Sequence, residues 1–299
     1  MNITKTALIT ICGRPNVGKS TLANTIVGEK IAIVSNKPQT TRNRIYAVKN
    51  LEDTQLVFMD TPGFHRPKSK LDEYMDDVVR DSFSGTDAVC LVVEPIPSVG
   101  PQEEQLITWI KASGLPSVLV VNKIDEVKKE ELLAVIAAYA AVHDFDHVLP
   151  LSAKTGEGVD ELLALLRDLA PEGPPLFPED MITDQPDSQI VAEMVREKLL
   201  YCLEHEIPHG TAIEVTKFSE REDSGIIDLD VTIYCEKSSH KAIIIGKRGA
   251  MIRKIGEMAR KDIERYMGTK VFLQTWVKVK ENWRDSSAML RSLGYRNDE

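Results

Sequence analysis

A phosphate-loop motif near the amino terminus constrains this sequence more than any other feature. The run Gly13-Arg14-Pro15-Asn16-Val17-Gly18-Lys19-Ser20 matches G-x-x-x-x-G-K-S and lies between an apolar, strand-like run and a helical one. In that context, inward-pointing backbone N–H groups and the start of the helix can cradle a polyphosphate. Lys19 is expected to reach the β and γ phosphates, and the Ser20 hydroxyl to bind Mg²⁺. The alternative is a glycine-containing turn without a ligand.

Alternating apolar runs predict the architecture of the first domain. Strand-like runs are separated by helical ones, which is typical of an α/β domain with a mostly parallel sheet. The predicted strands cover 6–12, 55–59, 88–93, 117–121 and 147–151, and the predicted helices cover 19–27, 102–112, 130–141 and 159–169. Residues 1–172 are therefore assigned to this domain.

A proline-rich stretch follows the first domain. Pro174, Pro175 and Pro178 stand close to Gly173 without any apolar periodicity, so residues 173–186 are predicted to be an extended linker. Residues 187–299 are then predicted to form a second, α+β domain. Its predicted helices cover 188–204, 251–266 and 284–295, and its predicted strands lie near 212–217, 227–233 and 271–279.

A second short motif, Asp60-Thr61-Pro62-Gly63, follows the strand predicted at 55–59. An Asp at the carboxyl end of a strand beside a phosphate loop can hold Mg²⁺ through its water shell, and the N–H of Gly63 can contact a γ phosphate. On its own, D-T-P-G is a favourable turn. Together with the phosphate loop it is interpreted as a second metal-binding element.

The run Asn122-Lys123-Ile124-Asp125 follows the next buried strand and indicates which base is bound. The Asp125 carboxylate can accept two hydrogen bonds from N1–H and the exocyclic amine of guanine, whereas adenine offers an acceptor at N1 and no such amine. Asn122 can brace the loops, and the stem of Lys123 can pack over the ring. Ser152-Ala153-Lys154 follows a further strand, where a backbone N–H could bond the guanine carbonyl.

The four motifs, each at the end of its own strand, resemble the GTPase branch of the P-loop fold over residues 6–170. With Asn16, the run Pro38-Gln39-Thr40-Thr41-Arg42 and the carboxyl-terminal domain, they more narrowly resemble the Era family of bacterial ribosome-assembly GTPases, and this likeness covers nearly the whole chain. The resemblance places Thr41 in the first switch, where it completes the Mg²⁺ shell with Ser20 and Asp60. The alternative is an ordinary loop threonine.

A slow GTPase is expected from these residues and from the resemblance. Lys19, Thr41 and Gly63 are the expected catalytic residues, and Asn16 is a hypothetical K⁺ ligand. Phe64 stands where many small GTPases carry the glutamine that orients water. The nucleotide-binding set comprises Gly13, Asn16, Val17, Gly18, Lys19, Ser20, Thr21, Asp60, Thr61, Pro62, Gly63, Asn122, Lys123, Asp125, Ser152, Ala153 and Lys154.

The second domain carries a Gly246-Lys247-Arg248-Gly249 loop before a helical run. A G-x-x-G loop lets a nucleic-acid backbone approach closely, and its basic residues can contact phosphates. Residues 237–280 contain twelve Lys or Arg and three acidic residues, a net charge of +9. These features predict a KH-type RNA-binding domain, and the element order resembles the bacterial, type II arrangement with a helix near 239–245. The predicted RNA-binding residues are Ile243, Ile244, Ile245, Gly246, Lys247, Arg248, Gly249 and Arg253.

The family resemblance also implies a cellular role. It implies that the RNA is the 3′ end of small-subunit (16S) ribosomal RNA and that the protein, a monomer, assists maturation of the small ribosomal subunit while cycling between GTP and GDP. Peripheral association with the cytoplasmic face of the cell membrane is a further implication. Trp276 is expected to pack in the core rather than stack on RNA.

Composition narrows the remaining possibilities. The longest nearly unbroken apolar stretch, 132–142, is too short to span a membrane, and no secretion signal is recognised, so a cytoplasmic protein is expected. The four scattered cysteines are expected to be buried thiols. Summed over the whole chain, the net charge of −9 does not favour nucleic acid as a ligand. Two alternatives remain, an ATP-dependent P-loop enzyme and an RNA-binding module that uses GTP only as a structural ligand.

Overall fold

The computed structural model describes residues 2–65 and 67–295 and contains two compact units. The chain passes from the first unit to the second between Asp184 and Gln185, and the short segment Lys68–Leu71 groups with the second unit. Within the described residues, no helix is both long and apolar enough to cross a membrane.

A six-stranded sheet with the order β2-β3-β1-β4-β5-β6 forms the centre of the first unit. Every neighbouring pair is parallel except β2 and β3, and β3, β4 and β5 are buried along their whole length. The strands are β1 (Lys5–Cys12), β2 (Ile45–Leu51), β3 (Thr54–Asp60), β4 (Ala88–Val93), β5 (Ser117–Val121) and β6 (His147–Pro150). Because the carboxyl ends of parallel strands meet at one edge, the loops that follow β1, β3 and β5 converge there.

Helices cover both faces of this sheet and bury two apolar clusters. They are α1 (Lys19–Val27), α2 (Lys70–Asp81), α3 (Pro101–Ser113), α4 (Lys129–Ala140) and α5 (Val159–Leu169). Residues of α1 and α5 belong to one cluster, whereas residues of α3 and α4 belong to the other. This is the α/β arrangement with a mostly parallel sheet that the sequence predicts.

Two elements of the first unit are absent from the sequence prediction. One is α2, whose buried Leu71, Met75, Val78 and Val79 share one helical face. The other is β2, which pairs antiparallel to β3 and so adds an edge strand to the parallel sheet. The spacing of the apolar residues was a usable signal for α2, whereas β2 lies in a segment with mixed polarity.

The proline-rich stretch lies on the first unit up to Asp184. Gln55, fully buried on β3, accepts hydrogen bonds from the backbone N–H groups of Leu176 and Phe177 at 2.8 and 2.9 Å. Farther along, the N–H of Val48 on β2 donates to the Ile182 carbonyl at 2.9 Å, and Ala47 bridges Thr183. The segment predicted as a linker therefore lacks helices and strands but is fastened to the edge of the sheet.

The second unit is an α+β domain with a three-stranded sheet in the order β7-β8-β9. Strand β8 is antiparallel to β7 and parallel to β9, and one face of the sheet is buried against helices. The elements are α6 (Asp187–Cys202), β7 (Thr211–Glu220), β8 (Ile227–Cys235), α7 (Ser238–Ile245), α8 (Ala250–Met267), β9 (Val271–Val279) and α9 (Ser287–Ser292). Instead of a single helix over 284–295, a 3-10 turn at Trp283–Asp285 precedes a short α9.

Two predictions about individual side chains have different outcomes. Three of the four cysteines are buried and all four are free thiols, which confirms the expectation for Cys12, Cys90 and Cys235 but only partly for Cys202. The expectation for Trp276 is wrong, because its side chain is 57% exposed on the outward face of β9. Alternation along β9 places the apolar residues Val271 and Leu273 inward and Trp276 outward, so the strand was correct and the assignment of its faces was not.

Candidate functional site

The phosphate loop connects β1 to α1, and its lysine is buried inside it. The Lys19 side chain donates hydrogen bonds from Nζ to the carbonyl oxygens of Gly13 at 3.1 Å and Arg14 at 3.0 Å. Burial lowers the pKa of Lys19, and the nearby Asp60 carboxylate opposes that shift. An ammonium held in this way is preorganised for an anion, because a phosphate oxygen would compensate the desolvated charge better than two carbonyls do.

Three oxygen-bearing side chains meet beside this lysine. Ser20 donates a hydrogen bond to Asp60 Oδ2 at 2.6 Å, so Thr41, whose Oγ1 is 2.7 Å from Ser20 Oγ, is the donor to Ser20. The other carboxylate oxygen of Asp60 is buried and has no hydrogen-bond partner among the described residues. Burial raises the pKa of Asp60 to about 6, although Lys19 and Ser20 lower it. Two hydroxyls and a partly unsatisfied carboxylate fit the oxygen ligands that Mg²⁺ prefers.

The loops after β5 and β6 are joined through Asn122. Its Nδ2 donates to the Val17 carbonyl in the phosphate loop at 2.8 Å, and its Oδ1 accepts from the Ala153 N–H at 2.9 Å. Asp125 accepts a hydrogen bond from Ser152 Oγ at 2.7 Å, which orients the carboxylate. Lys123 has a left-handed backbone, and its ammonium is paired with Glu94. Asn122 therefore joins the loops after β5 and β6 to the phosphate loop in one continuous wall.

A cavity of about 420 Å³ runs from the phosphate loop to Asp125. Most of the predicted nucleotide-binding residues line it together with Thr41, namely Asn16, Gly18, Lys19, Ser20, Thr21, Gly63, Asn122, Lys123, Asp125, Ala153 and Lys154. The remaining predicted residues, Gly13, Val17, Asp60, Thr61, Pro62 and Ser152, lie outside this lining. Asp60, Thr61 and Ser152 are fully buried, so these three support the wall through contacts such as the Thr61 hydroxyl bond to the Ile11 carbonyl at 2.8 Å.

Part of the cavity wall comes from residues outside the predicted nucleotide-binding set. Most belong to the segment between α1 and β2, and they are Pro15, Ile33, Val34, Ser35, Asn36, Gln39, Thr40 and Glu126. The only sequence signal for this segment was the run 38–42. Asn16 contacts it directly, since Asn16 Nδ2 donates to the Asn36 carbonyl at 3.0 Å. An amide and a main-chain carbonyl thus meet at the rim, where oxygen ligands for a monovalent cation are available.

Gly63 and Phe64 fix the start of the segment after β3. A Cβ at Gly63 would lie 2.7 to 2.8 Å from Pro15, so only glycine permits this approach to the phosphate loop. The Phe64 N–H donates to the Gly13 carbonyl at 3.3 Å, and the Phe64 ring packs edge-on against Trp109 with centroids 4.9 Å apart. Phe64 is therefore a packing residue, as the sequence indicated, and its side chain offers no hydrogen bond to water.

His65 connects two segments that border the cavity. Its Nδ1 is 3.1 Å from the Gly63 carbonyl and its Nε2 is 3.2 Å from Asp72 Oδ1. Gln39 Nε2 donates to the same Asp72 oxygen at 2.7 Å. Gln39 Nε2 also lies 3.1 Å from His65 Nε2. The Gly63 carbonyl and Asp72 are acceptors, and a protonated ring donates to both of them.

The pKa of His65 is expected to exceed its usual value of 6.5, chiefly because Asp72 accepts its hydrogen bond and with a smaller contribution from the charge of Asp76. A raised folded-state pKa means that this interaction stabilises the fold fully below pH 6.5 and is lost as the pH rises through the higher value. An NMR titration of the imidazole, assigned with a His65→Gln variant, should give this result. Asp72→Asn should lower the pKa, and a His65 pKa at or below 6.5 in the parent chain would contradict the prediction.

The second unit places the G-x-x-G loop between α7 and α8. Gly246 has φ of 71°, and a Cβ there would lie 2.7 Å from the Met251 side chain, so this position requires glycine. Lys247, Arg248 and Arg253 are exposed, and Ile243 is 48% exposed beside them. The prediction that Ile244 binds RNA is wrong, because its side chain is fully buried in the core of the unit and cannot receive a base. Successive side chains of a helix point in different directions, so Ile243, Ile244 and Ile245 do not share one environment.

Comparisons with known proteins cover both units. A model of the 50S ribosome-binding GTPase family matches residues 8–123, and a model of the KH domain matches residues 206–284. GTPase Era of Ruminiclostridium cellulolyticum is 50% identical over 295 residues, which are 99% of each chain. GTPase Era of Clostridioides difficile is 47% identical over 294 residues, covering 98% of this chain and 99% of that protein.

Two solved structures resemble this one over almost its full length. A crystal structure of Era in complex with MgGDPNP and nucleotides 1506–1542 of 16S ribosomal RNA has a TM-score of 0.95 at 34% identity, covering 98% of this chain and all of that chain. A crystal structure of a single-substitution variant of Aquifex aeolicus Era bound to GDP·AlF4⁻ has a TM-score of 0.94 at 35% identity with the same coverage.

Proposed function

The chain belongs to the Era family of GTPases, and from that membership we propose that it is a GTP-hydrolysing switch that binds the 3′ end of 16S ribosomal RNA and assists assembly of the small ribosomal subunit in the cytoplasm. The observation that carries the GTPase part is one cavity lined by Lys19, Ser20, Thr41 and Asp125, with the buried Asp60 carboxylate hydrogen-bonded to Ser20 behind the lining. Phosphate, metal and guanine recognition are thereby combined in a single site.

Residues 1–172 form the proposed GTPase domain, and residues 187–299 form the proposed type II KH domain. Ser20, Thr41 and Asp60 are the proposed Mg²⁺ ligands, and Asn16 is the proposed K⁺ ligand. Magnesium held there neutralises charge on the β and γ phosphate oxygens. The unsatisfied Asp60 oxygen supports this assignment, because a buried carboxylate atom without a donor requires a cation or water.

The hydrolysis step depends on positioning and on charge neutralisation. Lys19 places its ammonium on the terminal phosphates, and the N–H of Gly63 is held close to the phosphate loop by the contact with Pro15. The Phe64 ring packs against Trp109 and has no polar atom, so it does not orient the attacking water. We therefore infer slow intrinsic turnover, in which main-chain groups rather than a glutamine position the water.

The RNA-binding part rests on the loop Gly246–Gly249 and its exposed cations. Lys247, Arg248 and Arg253 provide phosphate contacts next to the accessible Ile243, which fits the small number of nucleotides that a KH loop clamps. The relative solved with nucleotides 1506–1542 of 16S ribosomal RNA supports the identity of the RNA. The basic loop itself does not distinguish one RNA sequence from another.

Base recognition gives the test of the proposed GTPase activity. Unlabelled ATP should fail to displace labelled GTP, and Asp125→Asn should weaken GTP binding by about a hundredfold or more because two charge-assisted hydrogen bonds to guanine are lost. Fluorescence titration would measure both affinities. Asp160→Asn removes the same charge at an exposed position of α5 and serves as the matched control. Equal displacement by ATP would support the alternative of an ATP-dependent enzyme.

The proposed K⁺ site makes a separate prediction about rate. GTP hydrolysis should be faster by about tenfold or more in potassium than in sodium buffer of equal ionic strength, because a cation beside Asn16 would neutralise developing phosphate charge. Steady-state phosphate release measures the difference. Asn16→Ala should abolish it, since the amide that contacts the Asn36 carbonyl is removed. Equal rates in both buffers would exclude a K⁺ role.

A further inference from the structure

The outward face of β9 exposes two large aromatic side chains. Phe272 is 50% exposed and Trp276 is 57% exposed, whereas the opposite face of the sheet packs against the helices. Gln274 and Lys278 are exposed on the same side of the strand. Two half-exposed aromatic rings on one face of a strand are available for stacking on bases. The β9 stripe is defined here as Phe272, Gln274, Trp276, Lys278 and the following Lys280.

Charge favours a nucleic acid as the partner of the β9 stripe. The ammonium groups of Lys278 and Lys280 have no acidic partner within residues 2–65 and 67–295, so both are available to phosphates. The acids on the neighbouring strands are mostly engaged. Asp228 is paired with Arg221 at 2.7 Å and Lys217 at 3.2 Å, and Glu214 accepts a hydrogen bond from Tyr234 at 2.7 Å.

Asp230 is the remaining acid on this face, and it lies opposite Lys217 in the pairing of β7 with β8. Its position beside Gln274 is away from the lysine end of the stripe. The carboxylates therefore lie toward β7 and β8, and the unpaired positive charge lies on β9, the edge strand of the sheet. An anionic strand would meet its counter-charges along β9.

Spacing along the stripe suits an extended single strand. Alternate residues of a strand are about 7 Å apart, so Trp276 and Lys278 can contact the base and the phosphate of one nucleotide. The Phe272 ring is partly covered by Arg221, whose guanidinium carbon lies 5.5 Å from the ring centroid, while Trp276 is the more exposed ring. Trp276 is accordingly the strongest candidate for stacking on a base.

Continuity with the G-x-x-G loop supports the same assignment. Helix α7, which ends at Ile245 immediately before Gly246, packs against β9 within the second unit. The loop and the β9 stripe therefore belong to the same unit, and α7 contacts the inward side of β9 whereas the stripe lies on its outward side. Because β9 is an edge strand, an RNA strand that leaves the loop has to pass around this edge to reach the stripe.

We propose that the β9 stripe is a second single-stranded RNA-binding surface, on which Trp276 stacks on a base and Lys278 and Lys280 contact phosphates. This proposal rests on the proposed RNA-binding function and extends it from the loop to the outward face of the sheet. The consequence is a longer RNA footprint than the roughly four nucleotides of a KH loop.

The test compares a short and a long probe on the full chain. The probes are fluorescent single-stranded RNAs of about four and about twelve nucleotides from the 3′ end of 16S ribosomal RNA, and anisotropy gives their affinities. Trp276→Ala should weaken binding of the long probe by about tenfold or more and leave the short probe unchanged, since one base loses its stacking partner. Trp276→Phe should restore most of the affinity. Lys278→Ala with Lys280→Ala should reduce the salt dependence of long-probe binding.

Controls separate failure of this proposal from failure of the RNA-binding function. Tyr201→Ala removes an exposed aromatic ring on α6 and should leave both probes unaffected. If Trp276→Ala binds the long probe as tightly as the parent chain, the proposal is overturned. The exposed face of β9 would then be a surface for another partner, such as a protein. Equal weakening of both probes would also overturn it, by placing Trp276 in the loop groove. If charge reversal at Lys247 and Arg248 weakens neither probe, the RNA-binding function itself fails.

Discussion

Replacing Lys19 by alanine is expected to lower the affinity for GTP and GDP by about two to three orders of magnitude, or roughly 3 to 4 kcal/mol. The ammonium is buried inside the phosphate loop, where the carbonyl oxygens of Gly13 and Arg14 hold it, and burial already lowers its pKa. Loss of the charge would remove the main side-chain partner that the proposed site offers to the phosphates, at a position where the lysine is largely buried. Isothermal calorimetry with Mg²⁺ measures the change directly.

Thermal melting distinguishes this effect from unfolding. The nucleotide-free Lys19→Ala chain should melt close to the parent, because the substitution removes a charge whose burial is unfavourable in the folded state. Saturating GTP and Mg²⁺ should raise the melting temperature of the parent and not that of the variant. Lys30→Ala, which removes an exposed charge shortly after α1, provides the control. Unchanged binding by Lys19→Ala would mean that the phosphates bind elsewhere.

Reversing both charges in the G-x-x-G loop, Lys247→Asp with Arg248→Asp, is expected to weaken RNA binding by about a hundredfold or more. Both side chains are exposed and project from a loop whose Gly246 backbone permits close approach, so two phosphate contacts become repulsions. GTP affinity should be unchanged, because both residues lie in the second unit. Filter binding at several salt concentrations should also show a shallower salt dependence.

Arg260→Asp with Lys261→Asp supplies a matched control for this variant. The pair carries the same charge, is exposed, and lies in the second half of α8. Its effect on RNA binding should be much smaller than that of the loop pair. In cells, crosslinking and sequencing should recover mainly 3′ ends of small-subunit ribosomal RNA with the parent chain, and the loop variant should lose that enrichment. Equal losses from both pairs would indicate only a general electrostatic attraction.

The motifs predicted which residues the structure brings together around the candidate site, because each motif lies where a parallel strand ends. Strand order and local spacing bring Lys19, Asp60 and Asp125 to one edge of the sheet, so short sequence patterns were sufficient. The segment from Ile33 to Thr40 could not be assigned in this way. It has no helical or strand period, and its place in the cavity wall is determined by long-range contacts such as that between Asn16 and Asn36.

Side-chain environments were predicted less well than elements. The face of β9 was assigned incorrectly because strand alternation shows which residues share a side and not which side meets the helices. Ile244 illustrates the same difficulty in a helix, since three consecutive isoleucines look equivalent until neighbouring elements bury one of them. The sequence indicated the KH loop, whereas the exposed tryptophan emerged only from tertiary packing.

The attachment of residues 176–183 to the first unit affects how that unit can be isolated. Strand β2 is at the edge of the sheet, and Val48 obtains a partner for its N–H from Ile182. A fragment ending at residue 172 would leave this N–H without the Ile182 carbonyl and the side-chain oxygen of buried Gln55 without the N–H groups of Leu176 and Phe177. Open strand edges also promote association between molecules. Excision after Asp184 instead keeps the edge covered, which makes that residue the better end point for a separately expressed GTPase domain.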